Sequence, residues 1–168
     1  KTGLIAGNQT AVNFDISPYS IGDIHTHPKS GHAMFSFGDV KDMIAYYDKV
    51  GESKKNDIFA TLVCKNKAGV VNVYTLKIND IEKLRTAVDA EWNNTKYDGK
   101  NDKDKLREIH IKQSKKFEAS NGELEKSFLE QFSSFGISLF KATDDTMKNW
   151  SQLELSNTVP YVKPIPCN

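Results

Sequence analysis

The stretch from Ser20 to Gly51 constrains the fold of this chain more than any other. The run SIGDIHTH alternates apolar and polar residues until Pro28 stops it, which reads as a half-buried strand. After a short loop, Val40, Met43, Ile44 and Tyr47 recur at helical spacing, and Gly51 sits just past the expected end. Ser36 and Asp39 stand three residues apart at the helix start, the spacing of a capping box with Asp in place of the usual Glu or Gln. A strand leading into a capped, amphipathic helix points to an α/β or α+β domain.

The rest of the chain fits that class. IFATLVCKN and VVNVYTLKI are rich in β-branched and aromatic residues, flank a KAG turn with Gly69, and are expected to pair as a hairpin. GLIAG and AVNFDI, separated by Asn8 and Gln9, read as two brief strands near the start. The second half is mostly helical. Ile81, Leu84, Val88 and Trp92 make one apolar stripe, and Leu106, Ile109, Gln113 and Phe117 make a second, more polar one after the NNTKYDGKND loop. Leu124, Phe128, Phe132 and Phe135 make a third, with Ser120 or Asn121 as its expected cap and Gly136 as its end. ISLFKA returns to a strand pattern, and NTVPYVKPIPCN, with three prolines, is expected to run extended.

Bulk properties exclude several function classes. With 168 residues, 38% of them hydrophobic, the chain suffices for one domain with its own core. Its 23 basic and 22 acidic side chains leave a net charge of +1, so no overall field attracts nucleic acid or an anionic membrane, and neither is expected as a partner. The segment from Lys100 to Lys116 carries seven Lys or Arg against three acids and reads as a solvated helix face. No apolar run approaches the roughly 20 residues a bilayer demands and no signal-peptide pattern opens the chain, so a soluble protein is expected. Cys64 and Cys167 are too few for a disulfide framework, and Cys64 within FATLVCKN reads as a buried strand residue rather than a nucleophile. Lys1 in place of Met, with an apolar run close behind, leads us to expect a fragment or a processed form.

The chemistry lies in the strand and the helix start. His25 and His27 at i and i+2 share one face of an extended strand and can offer two imidazole nitrogens to one ion. Asp39, in the first helical turn, can turn its carboxylate back toward the strand end as a third ligand. Two nitrogens and one oxygen, with a fourth position left to water, is the ligand set of a catalytic zinc rather than a structural one. Zinc lowers the pKa of a bound water to about 7 and polarises a carbonyl, so peptide or amide hydrolysis is the natural reaction. A His-x-His pair also serves as ordinary hydrogen-bonding side chains; the whole constellation carries the reading. Asp23 shares the face of the histidines and is expected to orient one of them. His32 is expected to be solvated in its loop, His110 to have no role, and Phe35 and Phe37 to pack the helix start.

Written out, the constellation is H-T-H-P, seven residues, then S-x-x-D. His25, His27, Pro28, Ser36 and Asp39 in this order resemble the signature of the JAMM (JAB/MPN-plus) zinc metalloproteases, over about residues 21–78. The resemblance implies a cytidine-deaminase-like α/β fold, a mixed sheet with flanking helices. It implies a Zn2+ ion held by His25, His27 and Asp39, with Ser36 as the catalytic donor that steadies the oxyanion. The implied reaction is hydrolysis of a peptide or isopeptide bond in a peptide or protein substrate. We divide the single expected domain, 1–168, into a metal-site core, 1–78, and a mainly helical extension, 79–168, which the resemblance does not reach. Bacterial relatives include JAB-like domains in toxin and secretion systems, and the Asn- and Lys-rich style of the chain suits a bacterial source, cytoplasmic or secreted as part of a larger protein.

One element of the family pattern is missing. Its mechanism uses a glutamate, on a strand well ahead of the histidine pair, as general base, yet none of the 24 residues before His25 is Glu and the first in the chain is Glu52. Three accounts follow: a glutamate on a strand upstream of Lys1, a catalytically impaired metal-binding or partner-binding relative, or a substitute carboxylate, with Asp23 the best placed locally; a partner chain could also supply the glutamate. The first is the one we expect.

Overall fold

A computed structural model describes residues 5–6, 15–27 and 31–167. The strands expected in GLIAG and AVNFDI lie largely outside the described residues, as does Pro28. Among the described residues, six strands form one sheet in chain order: β1 (Gly22–Thr26), β2 (Phe59–Lys65), β3 (Val71–Ile78), β4 (Ile137–Ala142), β5 (Trp150–Leu155) and β6 (Val162–Pro166). β1 runs parallel to β2 and every later pair is antiparallel, so the sheet is mixed. The parallel pair needs a crossover, which the helix α1 (Phe37–Lys49) supplies. Three more helices, α2 (Ile81–Trp92), α3 (Asp102–Ala119) and α4 (Leu124–Phe132), lie between β3 and β4.

The helix α1 forms where its sequence signals place it. Ser36 is the N-cap in extended conformation: its hydroxyl accepts the Asp39 N–H at 3.3 Å, and the Asp39 carboxylate accepts the Ser36 N–H at 2.6 Å. Such a cap contributes about 1 kcal/mol. The buried stripe is Phe37, Val40, Met43 and Tyr46, with Ile44 and Tyr47 at its flank and only partly buried. Fully burying Val40 and Met43 contributes about 1.5–3 kcal/mol each. The helix stops at Lys49, two residues short of Gly51.

Directly paired residues share one face of a sheet. Asp23 pairs with Ala60 and through it with Leu76, while His25 pairs with Leu62 and through it with Tyr74. Ala60, Leu62, Tyr74 and Leu76 are buried in the same cluster as Val40 and Met43 of α1, Leu84 and Val88 of α2, Phe117 of α3 and Phe128 of α4. Asp23 and His25 thus project to the side that the helices cover. Ile24, on the opposite side, is 70% exposed. Gly22 lets the strands meet here, since an added Cβ would lie 2.0 Å from the Phe59 carbonyl oxygen.

Three elements differ from expectation. The α4 cap is Glu123, with no side-chain bond, because Asn121 and Gly122 both take positive φ in the turn, while Ser120 closes α3 by donating its hydroxyl to the Phe117 carbonyl at 2.7 Å. α4 ends at Phe132, so Phe135 leaves the helix and still packs edge-on against Phe132 with ring centroids 4.9 Å apart. The segment Trp150–Leu155 is a strand, and the proline-rich tail pairs with it as β6, so the second half of the chain completes the sheet as well as covering it. Prolines are tolerated in β6 because it stands at the end of the strand order. No helix among the described residues is long and apolar enough to cross a membrane.

Candidate metal centre

β1 and α1 bring His25, His27 and Asp39 together. Their nearest ligand atoms all lie within 4.8 Å of one another, and the side chains are about one-fifth exposed. His25 Nε2 stands 3.5 Å from Asp39 Oδ1, and His27 Nε2 stands 3.2 Å from Asp39 Oδ2. The cap that starts α1 also aims this carboxylate, because its Oδ2 is held by the Ser36 N–H. Strand alternation and a capping box bring His25 and Asp39 to one point, where His27, just past the strand end, joins them.

The other ring nitrogen of each histidine is already engaged. His25 Nδ1 lies 2.6 Å from Asp23 Oδ2, and His27 Nδ1 lies 3.1 Å from the His32 carbonyl oxygen. An ionised carboxylate and a carbonyl only accept, so each Nδ1 carries the proton and donates it. Each ring, when neutral, then turns the lone pair of Nε2 toward Asp39. In that state three acceptors face one another, an arrangement that calls for positive charge between them. His25 Nε2 is buried and has no hydrogen-bond partner. An orphaned buried nitrogen beside a carboxylate, with the opposite ring atom fixed by a carboxylate, fits the donor set and the supporting contacts of a zinc-binding histidine.

The electrostatics point the same way. Burial pulls the His25 pKa down, but the hydrogen bond it donates to Asp23 and the charges of Asp39, Asp23 and Asp42 outweigh it and lift the pKa above its ordinary value. Burial pushes Asp39 up, yet the hydrogen bond to His27, the charges of His25 and His27, and the Ser36 N–H hold the carboxyl below the usual range. The site favours positive charge at the His25 ring and negative charge on Asp39. Asp42, one turn along α1 and solvent-exposed by area, is crowded by protein, which with the negative Asp39 and Asp23 lifts its pKa despite Lys41.

Ser36 stands at the site between two core residues, the buried Phe35 and Phe37, and Phe35 meets the His25 ring edge-on with centroids 6.0 Å apart. The Ser36 oxygen accepts the Asp39 N–H, and the hydroxyl keeps a proton to donate. Asp23 sits on the His25 ring, where sequence alternation puts it.

Two histidines expected to have no part in the site belong to it. The His32 carbonyl holds His27, and its ring pairs with Ser114 of α3 at 2.7 Å. His110 of α3 accepts the Gly38 N–H through Nε2 at 3.4 Å, and burial lowers its pKa. Gln113, also of α3, accepts the Phe37 N–H at 2.9 Å and donates to the Phe35 carbonyl at 3.1 Å. The only sign of this in the sequence is Gln113 itself, a polar residue within an apolar stripe, since a buried amide needs partners. Cys64 is buried with no part in the site, and burial pushes its thiol up to about 11.

Comparison of the chain with protein-family models, with curated proteins and with solved structures finds no match in any of the three.

Proposed function

We propose that this chain is a JAMM-like zinc-dependent hydrolase with a JAB/MPN-type domain, acting on a peptide or isopeptide bond. One observation carries the reading: His25 and His27 hold their Nδ1 protons on acceptors and turn both Nε2 atoms onto the Asp39 carboxylate. The mixed sheet with helices packed on the histidine-bearing face is compatible with the fold that the H-T-H-P and S-x-x-D residues resemble.

His25, His27 and Asp39 would hold the ion, and zinc in such a site supplies Lewis-acid polarisation of a carbonyl and a water of lowered pKa. The remaining work falls to the chain. Asp23 and the His32 carbonyl keep the two rings in one tautomer and one orientation. Ser36, held at the helix start, donates its hydroxyl to the oxygen on which negative charge develops. Phe35 closes the site on its core side.

A second reading, a metal-binding module without turnover, is favoured by one observation. Asp23, the carboxylate closest in sequence to the histidines, is committed to His25 Nδ1 and so is not available as general base. Loss of such a base typically costs about 10²–10⁴ in rate.

The experiment is a cleavage assay on zinc-loaded protein with unstructured peptides and lysine-linked isopeptide conjugates. Cleavage that a chelator stops and Asp39→Ala abolishes supports the hydrolase. Full zinc occupancy without cleavage supports the module.

A further inference from the structure

The helix α3 lies more than seventy residues from the histidine strand in sequence, yet one face of it touches the loop that carries the site at four successive points. His110, Gln113, Ser114 and Phe117 are spaced i, i+3, i+4 and i+7, the residues of one helical face. This face meets residues 32–38, the connection between the two ligand-bearing elements.

Resting on the metal-site reading above, we propose that this face of α3 is a clamp that positions the zinc ligands, so that the second half of the chain is a working part of the centre. Gln113 is 5% exposed and bridges the two peptide groups that flank Ser36, accepting from Phe37 N–H and donating to Phe35 C=O. That bridge holds the capping residue, and through the cap it holds Asp39. A second route reaches His27. Ser114 Oγ pairs with His32 Nε2 at 2.7 Å, the Phe117 ring packs on the His32 ring with centroids 5.1 Å apart, and the carbonyl of the same His32 receives the His27 Nδ1 proton at 3.1 Å. Only two hydrogen bonds separate α3 from a ligand ring. His110 adds the fourth point at the Gly38 N–H, and glycine suits that position because a Cβ would lie 3.3 Å from His110 Nε2.

Gln113 and Ser114 are therefore positioning residues. Changing them moves the ligands without removing any of them, whereas equal damage elsewhere on α3 does not. The test uses the full chain and two readouts: zinc affinity by competition with a chelator, and amide hydrogen exchange over residues 31–39 in the metal-free protein. Gln113→Met keeps the bulk and removes both bridge bonds. Ser114→Ala removes the His32 anchor, and Ser114→Thr restores a hydroxyl. Ile109→Val trims a buried α3 residue outside the clamp and serves as the stability control.

The expected result is a loss of zinc affinity of about 10- to 100-fold in Gln113→Met and Ser114→Ala, with faster exchange at Phe37 and Gly38. Ser114→Thr and Ile109→Val stay within about twofold of the parent on the scale of that loss. Should Gln113→Met fail to fold, Ser114→Ala and its Thr rescue at a half-buried position decide the matter. The proposal is overturned if both clamp variants match Ile109→Val in affinity and exchange. A parent protein that binds no zinc removes the metal reading, and the clamp then stands or falls on the exchange data alone.

Discussion

Asp23 Oδ2 lies 2.6 Å from His25 Nδ1, two residues along the same strand face, and this bond places the proton of the neutral ring on Nδ1, so that the lone pair is on the nitrogen that faces Asp39. In the proposed centre this contact orients His25 toward the metal. Asp23→Ala is expected to weaken zinc binding by about 10- to 100-fold while leaving the fold intact. Chelator competition alongside a thermal melt checks this; unchanged affinity would show that Asp23 does not orient the ring.

Ser36 caps the helix with the same hydroxyl that the proposed reaction would use, and two substitutions separate the roles. Ser36→Ala removes the cap and is expected to cost about 0.5–2 kcal/mol of stability, which Ser36→Asn restores in large part because Asn also caps. Turnover should fall by about 10²–10³ in both variants if the hydroxyl meets the oxyanion. Recovery of kcat together with stability in Ser36→Asn would reduce Ser36 to a cap.

The two thiols should differ in reactivity. Burial pushes Cys64 up to about 11, so at pH 8 on the order of one in a thousand of these thiols is ionised. Cys167 is exposed. Alkylation at pH 8, followed by mass spectrometry, should label Cys167 at once and Cys64 only after denaturation, and Cys64→Ala should leave turnover unchanged. Rapid labelling of Cys64 would reopen the case for a cysteine nucleophile.

The metal-free protein should carry a specific pH dependence. His25 has its folded pKa raised above 6.5, so the stability it contributes is fully present below the unfolded value and is lost as pH rises through the folded one. Asp39 has its folded pKa depressed below 3.8, so its contribution is present above that value and is lost as pH falls through the folded pKa. Tm in chelator should therefore be highest between these limits and decline on both sides. In His25→Ala the decline on the alkaline side should disappear; its persistence would assign it to another group.

The legible parts of this protein were those whose partners are close in sequence. Strand alternation put Asp23, His25 and His27 on one face, and the S-x-x-D spacing placed Asp39 in the first turn with its cap. The β2–β3 hairpin was equally local, a short turn between two β-branched runs. What could not be read depends on distant contacts. His32 looked like a solvated loop residue because its anchor, Ser114, is 82 positions away, and His110 looked idle because Gly38 is 72 positions away. β5 escaped notice because WSQLEL alternates weakly and owes its place to β4 and β6 on either side. The α4 cap was misplaced because Ser120 had a competing use at the end of α3.

The most direct test of the central claim is zinc stoichiometry. Purified protein, stripped and then titrated with Zn2+ in a calorimeter, should bind one equivalent, and His25→Ala, His27→Ala and Asp39→Ala should each abolish tight binding while a melt shows the fold retained. Failure of the parent protein to bind zinc, or binding that survives all three substitutions, would contradict it.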